Sequence, residues 1–202
     1  MPEKRFNAFL AHRLDVPERI TWLPPAEVLS ALHVQPGETV ADVGAGTGYF
    51  SLPLAQAVGA RGQVFAVDAQ SGMLARLQEK LDSSRISNIE LVHAEADATC
   101  LSSATCDVVL LANVWHEFDD RTAVLLEAKR ILKKLGCIAI LDWRPDVEPE
   151  HGPPLEHRLS ASSAEAELLA AGFHRISQRN LGKYSWLVQA IARDEACKGL
   201  AE

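Results

Sequence analysis

The chain has 202 residues, of which 48% are hydrophobic and 23% charged, a composition typical of one globular domain with a sizeable core. Its net charge of −7 argues against a basic nucleic-acid surface, and the charged beginning, MPEKRFNAFLAHRLDVPERITW, argues against a secretory signal. No apolar run is long enough to span a bilayer. We therefore expect a soluble cytoplasmic protein without a nucleic-acid partner.

The cysteines lie at positions 100, 106, 137 and 197. None of them forms a C-x-x-C pair, and no histidines accompany them at ligand spacing. We expect no metal site, and we expect reduced thiols.

Short apolar runs alternate with helical patterns from residue 39 onward. Before them, residues 1–35 are predicted to form an irregular arm and then a helix from Pro25 to Leu32. The runs predict five strands, and each is nearly continuous in hydrophobicity, as in a parallel sheet covered on both faces: 39–43, 63–68, 89–94, 106–113 and 137–143.

The segments between these strands have helical spacing. One helix is predicted to end at Gly59, one to begin with Ser71 as its N-cap, and one to span about 120–134 with Gly136 as its C-cap. A long polar loop, 144–158, then precedes a helix over 160–173 and an antiparallel hairpin. This alternation predicts an α/β, doubly wound, mostly parallel seven-stranded sheet with a C-terminal antiparallel hairpin and helices on both faces.

A glycine loop follows the first strand, in the sequence VADVGAGTGYF. The spacing is G-x-G-x-G, so Tyr49 stands where a dinucleotide-binding loop has its third glycine. A P-loop lysine is missing as well, and no lysine or arginine occurs in residues 40–60. Asp42 would repel a phosphate. The loop therefore indicates a ligand with a cationic group.

Taken in order, the motifs over about residues 25–192 resemble those of class I S-adenosyl-L-methionine (SAM) dependent methyltransferases. The motif sequences are most similar to those of the branch that contains ubiquinone/menaquinone methyltransferases and small-molecule methyltransferases. The resemblance implies a Rossmann-like sheet, SAM as cofactor and S-adenosyl-L-homocysteine as product. It divides a single domain, 1–202, into an arm and helix (1–35), a SAM-binding core (36–143), a loop (144–160) and a C-terminal helix and hairpin (161–192).

The resemblance also implies which residues hold the cofactor. The acid at the end of the second strand is placed to bind the ribose hydroxyls, and the acid after the third strand to bind the adenine, with Asp97 as an alternative to Glu95. Asn113 is placed beside the transferable methyl group. The full set is Asp42, Gly44, Ala45, Gly46, Thr47, Gly48, Asp68, Ala69, Met73, Glu95, Ala96 and Asn113.

Acceptor residues are expected in loops above the strand ends. His116 is the best single candidate for a general base because its ordinary pKa is near 6.5, and the alternative is that it caps or packs the start of the next helix. Arg144 is a candidate for an anionic acceptor, with an ion pair to a nearby acid as the alternative. Trp22 and Trp143 are candidate walls of an apolar acceptor pocket, although large aromatic residues are more often core.

The prediction is therefore SAM-dependent methyl transfer, by in-line displacement, to a small-molecule acceptor. Two alternatives stay open at this point. One is a non-catalytic SAM-binding regulatory or partner protein, and the other is a nicotinamide oxidoreductase, which Tyr49 disfavours. The acceptor and the oligomeric state are not set by the sequence.

Overall fold

The computed structural model describes residues 6–192 and contains one seven-stranded sheet. Cys197 lies outside the described residues. The strand order is β3-β2-β1-β4-β5-β7-β6. The strands are β1 (Thr39–Val43), β2 (Gln63–Asp68), β3 (Ile89–His93), β4 (Cys106–Ala112), β5 (Leu132–Trp143), β6 (His174–Leu181) and β7 (Ser185–Ile191).

The first five strands and β6 run in one direction, and β7 alone runs opposite to them. β1 pairs with β2 and β4, and β7 runs antiparallel to both β5 and β6. The order reverses direction at β1, so the carboxyl ends of β1, β2 and β4 meet at a switch point where open α/β sheets bind ligands. The predicted mostly parallel sheet with a terminal hairpin is confirmed.

The helices are α1 (Arg19–Trp22), α2 (Pro25–Leu32), α3 (Ser51–Val58), α4 (Ser71–Asp82), α5 (Arg121–Ile131) and α6 (Ala161–Ala170). They cover both faces, because alternate residues of one strand enter different cores. On β4, Val109 and Leu111 pack with α5 and α6, whereas Val108 and Leu110 pack with α2 and α3. Burial on both faces explains the continuous apolar runs. No helix among residues 6–192 is long and apolar enough to cross a membrane.

The amino-terminal arm is more regular than predicted. Residues Ala8–Leu14 form a 3-10 helix, and α1 follows at Arg19–Trp22. The Asn7 side chain accepts a hydrogen bond from the Phe9 backbone N–H at 2.9 Å, which satisfies one free donor at the start of the 3-10 helix. The prediction of an irregular arm was wrong, because a segment this short carries too little periodicity to be recognised.

Two predicted helix ends were also wrong. α5 ends at Ile131, since Leu132 is already extended and pairs with Cys106. Gly136 therefore lies inside β5, where a Cβ would approach the Asp107 carbonyl oxygen to 3.1 Å. At α4, Ser71 is the first helical residue and Gln70 is the N-cap, because the Asp68 carboxylate accepts the Gln70 N–H at 2.8 Å and holds that residue extended.

Candidate functional site

A cavity of about 640 Å³ opens at the carboxyl ends of β1, β2, β4 and β5. This size is ordinary for a small-molecule site. Most of the residues predicted for the site line it: Trp22, Asp42, Gly44, Ala45, Gly46, Thr47, Asp68, Met73, Asn113, His116 and Trp143. The sheet order thus brings together residues that are up to 121 positions apart.

Five predicted residues are not in the cavity lining: Gly48, Ala69, Glu95, Ala96 and Arg144. Glu95 is exposed just beyond β3, and Ala96 next to it is half-buried. Arg144 forms an ion pair with Asp146, with Nη2 at 2.7 Å from Oδ2. The structure therefore shows the ion-pair alternative for Arg144 and gives its predicted substrate contact no support.

The three glycines of the loop have different surroundings, although all have positive φ angles of 55° to 83°. A Cβ on Gly44 would lie 2.6 Å from Val114, and a Cβ on Gly48 would lie 2.3 Å from Leu77 of α4. A Cβ on Gly46 would meet only Leu14, at 3.5 Å. Gly44 and Gly48 therefore let the loop pack closely, and Gly46 leaves its backbone open to the cavity.

Asp68 links the glycine loop to the start of α4. One carboxylate oxygen accepts the Gly46 N–H and the other accepts the Gln70 N–H, both at 2.8 Å. The residue is only 8% exposed. A carboxylate accepts several hydrogen bonds, so vicinal hydroxyl groups are suitable donors to Asp68.

Asp42 is a buried acid beneath the same loop. Its Oδ2 accepts a hydrogen bond from the Ser51 hydroxyl at 2.6 Å. Burial raises the pKa of Asp42 to about 6, against the lowering effect of Ser51. An ionised Asp42 is therefore costly unless a cation lies close to it.

A lid, residues 6–22, closes the cavity from the amino-terminal end of the chain. The Gln70 side chain holds its beginning, because Nε2 donates to the Phe6 carbonyl at 2.8 Å and Oε1 accepts from the Ala8 N–H at 3.2 Å. Asp15 holds its middle, since its Oδ1 lies 2.6 Å from both the Thr47 hydroxyl and Lys80 Nζ.

The lid brings Arg19 to the glycine loop. Its guanidinium carbon lies 3.9 Å from the centroid of the Tyr49 ring, and the residue lines the cavity at 7% exposure. Although residues 40–60 contain no basic residue, the fold brings Arg19 and Lys80 to the glycine loop from other segments. Nothing in the local sequence of Arg19 signals this position.

His116 forms a buried pair with Asp142. Nδ1 lies 2.9 Å from Asp142 Oδ1, and the His116 backbone N–H donates to Oδ2 at 2.9 Å. Since a carboxylate only accepts, Nδ1 carries the proton and Nε2 is the basic nitrogen. Burial alone would lower the pKa of His116, but the adjoining Asp142 raises it above 6.5 overall.

Two further polar groups lie beside this pair. Glu117 Oε1 is 4.0 Å from His116 Nε2, and burial raises the pKa of Glu117 to about 7. Asn113 has a left-handed backbone, with φ of 58°, and both polar atoms of its side chain are buried without a hydrogen-bond partner among residues 6–192. An unpartnered amide in a cavity wall fits a site completed by a ligand.

Aromatic rings form another part of the cavity lining. Trp22 stacks on His151 with ring centroids 4.6 Å apart and planes at 14°, and it also contacts Trp143 at 5.4 Å. Trp115, by contrast, is fully buried in the core below. The wall therefore suits a flat apolar ligand.

Arg158 holds the loop that carries His151, which is more ordered than the sequence predicts. Its guanidinium donates to the carbonyls of Pro153 and Arg144, each at 3.0 Å, and to that of His151 at 2.5 Å. Gly152 lies flat against Trp143, where a Cβ would come within 2.5 Å of the ring.

The cavity thus has two sides. The cofactor side consists of Asp42, the loop 44–48, Asp68 and Met73. The acceptor side consists of Trp22, His116, Trp143 and the loop 149–153. The open Gly46 backbone, two buried acids and the unpartnered Asn113 amide fit a cofactor with a ribose and a positive charge.

Comparison with known proteins identifies that cofactor. Residues 40–136 match a family model described as a methyltransferase domain. The chain is 32% identical to a SAM-dependent methyltransferase from Aquifex aeolicus, over 93% of this chain and 100% of that one, with a TM-score of 0.88. The chain belongs to the SAM-dependent methyltransferases. SAM is its cofactor, and it transfers a methyl group to a small molecule.

Two other relatives of this methyltransferase are informative. A demethylmenaquinone methyltransferase from Listeria welshimeri is 26% identical over 98% of this chain and 78% of its own length. The phosphoethanolamine N-methyltransferase 2 of Haemonchus contortus, solved in complex with SAM, is 13% identical with a TM-score of 0.72, over 86% of this chain and 53% of that one. The second similarity concerns the fold alone.

Proposed function

We propose that this methyltransferase acts on an aromatic acceptor of the quinone type that carries a hydroxyl group, and that His116 takes up the hydroxyl proton. The observation that carries the proposal is the His116–Asp142 pair, 2.9 Å apart, in the wall of the cavity. Asp142 fixes the tautomer and leaves Nε2 to accept a proton. The bound cofactor supplies the methyl group.

The aromatic wall supports the aromatic part of the proposal. A flat ring stacked on Trp22 or Trp143 would share the cavity with His116. The demethylmenaquinone methyltransferases among the relatives favour a quinone-type ring. Holding the acceptor close and in line is the main contribution that a protein makes to methyl transfer.

The cofactor contacts are part of the same proposal. Asp68 binds the ribose hydroxyls, Asp42 lies near the cationic end, Met73 contacts the adenine and Asn113 lies beside the methyl group. Glu95, Ala96 and Ala69 stay predictions for the adenine side, with Asp97 as the alternative acid. A cytoplasmic location also stays a prediction.

His116→Asn is the direct test of the base. The asparagine amide can still donate to Asp142, so the pair stays satisfied while Nε2 is lost. We expect kcat with hydroxylated aromatic acceptors to fall by about 10²–10⁴-fold, with the Kd of SAM nearly unchanged. In the wild type, kcat should fall as the pH drops through a value above 6.5, where the imidazole becomes protonated.

The matched control is His33→Asn, at an exposed left-handed position outside the cavity. It should leave kcat unchanged. Retained turnover in His116→Asn would restore the packing role for His116. Equal turnover of an acceptor without a hydroxyl group would remove the need for a base.

A further inference from the structure

Arg19 is a buried cation that makes no direct ion pair within residues 6–192, although Asp15 and Asp42 are close enough to act on its charge. It is 7% exposed, and among residues 6–192 no carboxylate forms an ion pair with it. Its Nη1 donates to the Leu14 carbonyl at 3.1 Å, whereas Nε is buried without a hydrogen-bond partner. The guanidinium carbon lies 3.9 Å from the centroid of the Tyr49 ring, which orients the group but does not neutralise it.

Such an arrangement is unfavourable in the protein alone. A buried charge is costly unless it is paired and hydrogen-bonded. Burial lowers the pKa of Arg19 to about 10, although the charges of Asp15 and Asp42 act in the opposite direction. Because Arg19 lines the cavity, a bound anion can relieve this cost.

The position of Arg19 selects the anion. Tyr49 follows the glycine loop directly, and Asp42 is close enough to influence the Arg19 charge. On the placement given under the proposed function, the methionyl end of SAM lies here. That end carries an α-ammonium, which suits Asp42, and an α-carboxylate, which suits a guanidinium.

We propose that Arg19 binds the α-carboxylate of the cofactor and so holds the lid closed over a loaded site. Arg19 belongs to the lid, whereas the loop that carries the cofactor belongs to the core. A contact between Arg19 and the cofactor therefore joins the two segments. It adds to the anchors that Asp15 and Gln70 already provide.

The test compares SAM with decarboxylated SAM, which keeps the sulfonium, ribose and adenine. Calorimetry without acceptor should show that the wild type binds SAM about 10- to 100-fold more tightly than decarboxylated SAM. In Arg19→Met this ratio should fall to about threefold or less, through weaker binding of SAM. Arg19→Lys keeps the positive charge but lacks the planar guanidinium that binds a carboxylate through two hydrogen bonds, so it should give an intermediate ratio. Arg76→Met, an exposed change on α4, is the matched control and should keep the wild-type ratio.

Lid closure gives a second readout that needs no turnover. Phe9 is 89% exposed on the lid, so chymotrypsin can report on how often this segment opens. SAM should slow cleavage at Phe9 in the wild type, and decarboxylated SAM should slow it less. Arg19→Met should remove the difference.

Equal binding of the two cofactors by the wild type would overturn the proposal, even if Arg19→Met failed to fold. A variant that kept the discrimination would do the same. If Arg19→Met instead raised only the KM of an anionic acceptor, the guanidinium would belong to the acceptor and the proposal would be wrong. Because no acceptor is present in the calorimetry, tight SAM binding without discrimination would leave the proposed acceptor chemistry intact.

Discussion

The cofactor side and the acceptor side of the cavity are built in different ways. The cofactor side is formed by backbone and short side chains that directly follow β1 and β2, and its hydrogen bonds join residues such as Gly46 and Asp68 within one βαβ unit. The acceptor side is assembled from the lid, from the ends of β4 and β5 and from a loop wrapped around Arg158. The cofactor side therefore depends on backbone geometry, and the acceptor side on long-range side-chain contacts.

Gly48→Ala should give the largest effect and tests the dependence on backbone geometry. Its φ of 83° and the 2.3 Å approach to the fully buried Leu77 leave no room for a methyl group. We expect the free energy of unfolding to fall by about 2–4 kcal/mol, measured by urea denaturation.

Gly37→Ala is the matched control, because its φ is 91° but nothing lies within 4 Å of the added Cβ. It should lower the free energy of unfolding by about 1–2 kcal/mol, because only the left-handed backbone disfavours alanine there. Equal losses in the two variants would show that close packing of the loop on α4 contributes nothing.

Arg158→Met tests the acceptor side alone. It removes the donor from carbonyls of the loop 149–153, and we expect a loss of about 1–3 kcal/mol in the free energy of unfolding. The KM of the acceptor should rise while the Kd of SAM stays nearly constant, because no residue of the cofactor side contacts Arg158 through the hydrogen bonds of residues 6–192.

Arg144→Met is its control, an arginine of the loop 144–160 whose ion-pair partner Asp146 is exposed. It should change stability by less than about 1 kcal/mol and leave the acceptor KM unchanged. A raised KM in this variant would recover the acceptor contact predicted from the sequence for Arg144.

The cofactor side should also show a pH dependence, which comes from Asp42. The pKa of Asp42 is raised to about 6, so the protonated form is favoured by the fold and stability should decrease as the pH rises through about 4–6. SAM affinity should change in the opposite sense, weakening by up to about tenfold per pH unit below 6 as the charge of Asp42 is lost.

Calorimetry over this pH range in wild type and Asp42→Asn checks both signs, and the variant should show neither dependence. Glu117→Gln is the second control. Burial raises the pKa of the Glu117 carboxyl to about 7 in the same cavity, so this variant separates the effect of Glu117 from that of Asp42. If Asp42→Asn shows the same pH dependence of stability and SAM affinity as the wild type, another group causes it.

The difference between the two sides explains which features of the site could be predicted from the sequence. β1, the glycine loop and Asp68 were predictable because the residues that mark them, an apolar run, spaced glycines and an acid at the end of a strand, are contiguous in the sequence. Arg19 and Arg158 were not, because their roles depend on which distant carbonyl, ring or cavity they reach. Asp142 had a usable signal, because it stands near the carboxyl end of the predicted fifth strand, at the same edge of the sheet as Asn113. The pairing of Ala112 with Leu141 then places these two residues side by side. From the sequence, the acids near Arg144 were treated only as alternative ion partners for it.

Boundaries failed for a related reason. The positive residues and glycine after α5 satisfy the usual rules for a helix end, yet the chain turns into β5 at Leu132 because Cys106 offers it a strand partner. Pairing in the sheet outweighed local propensity there.

The anchoring of the loop 149–153 bears on how this enzyme can be altered. Arg158 donates to the main-chain carbonyls of residues 151 and 153, which every residue type provides, so these anchors do not depend on the side chains at those two positions. Glu150 is held through its side chain instead, by Lys183 Nζ at 2.8 Å, and Gly152 is fixed in identity by its contact with Trp143. A library that varies positions 151 and 153 can therefore be screened for new acceptors with the cofactor side left untouched.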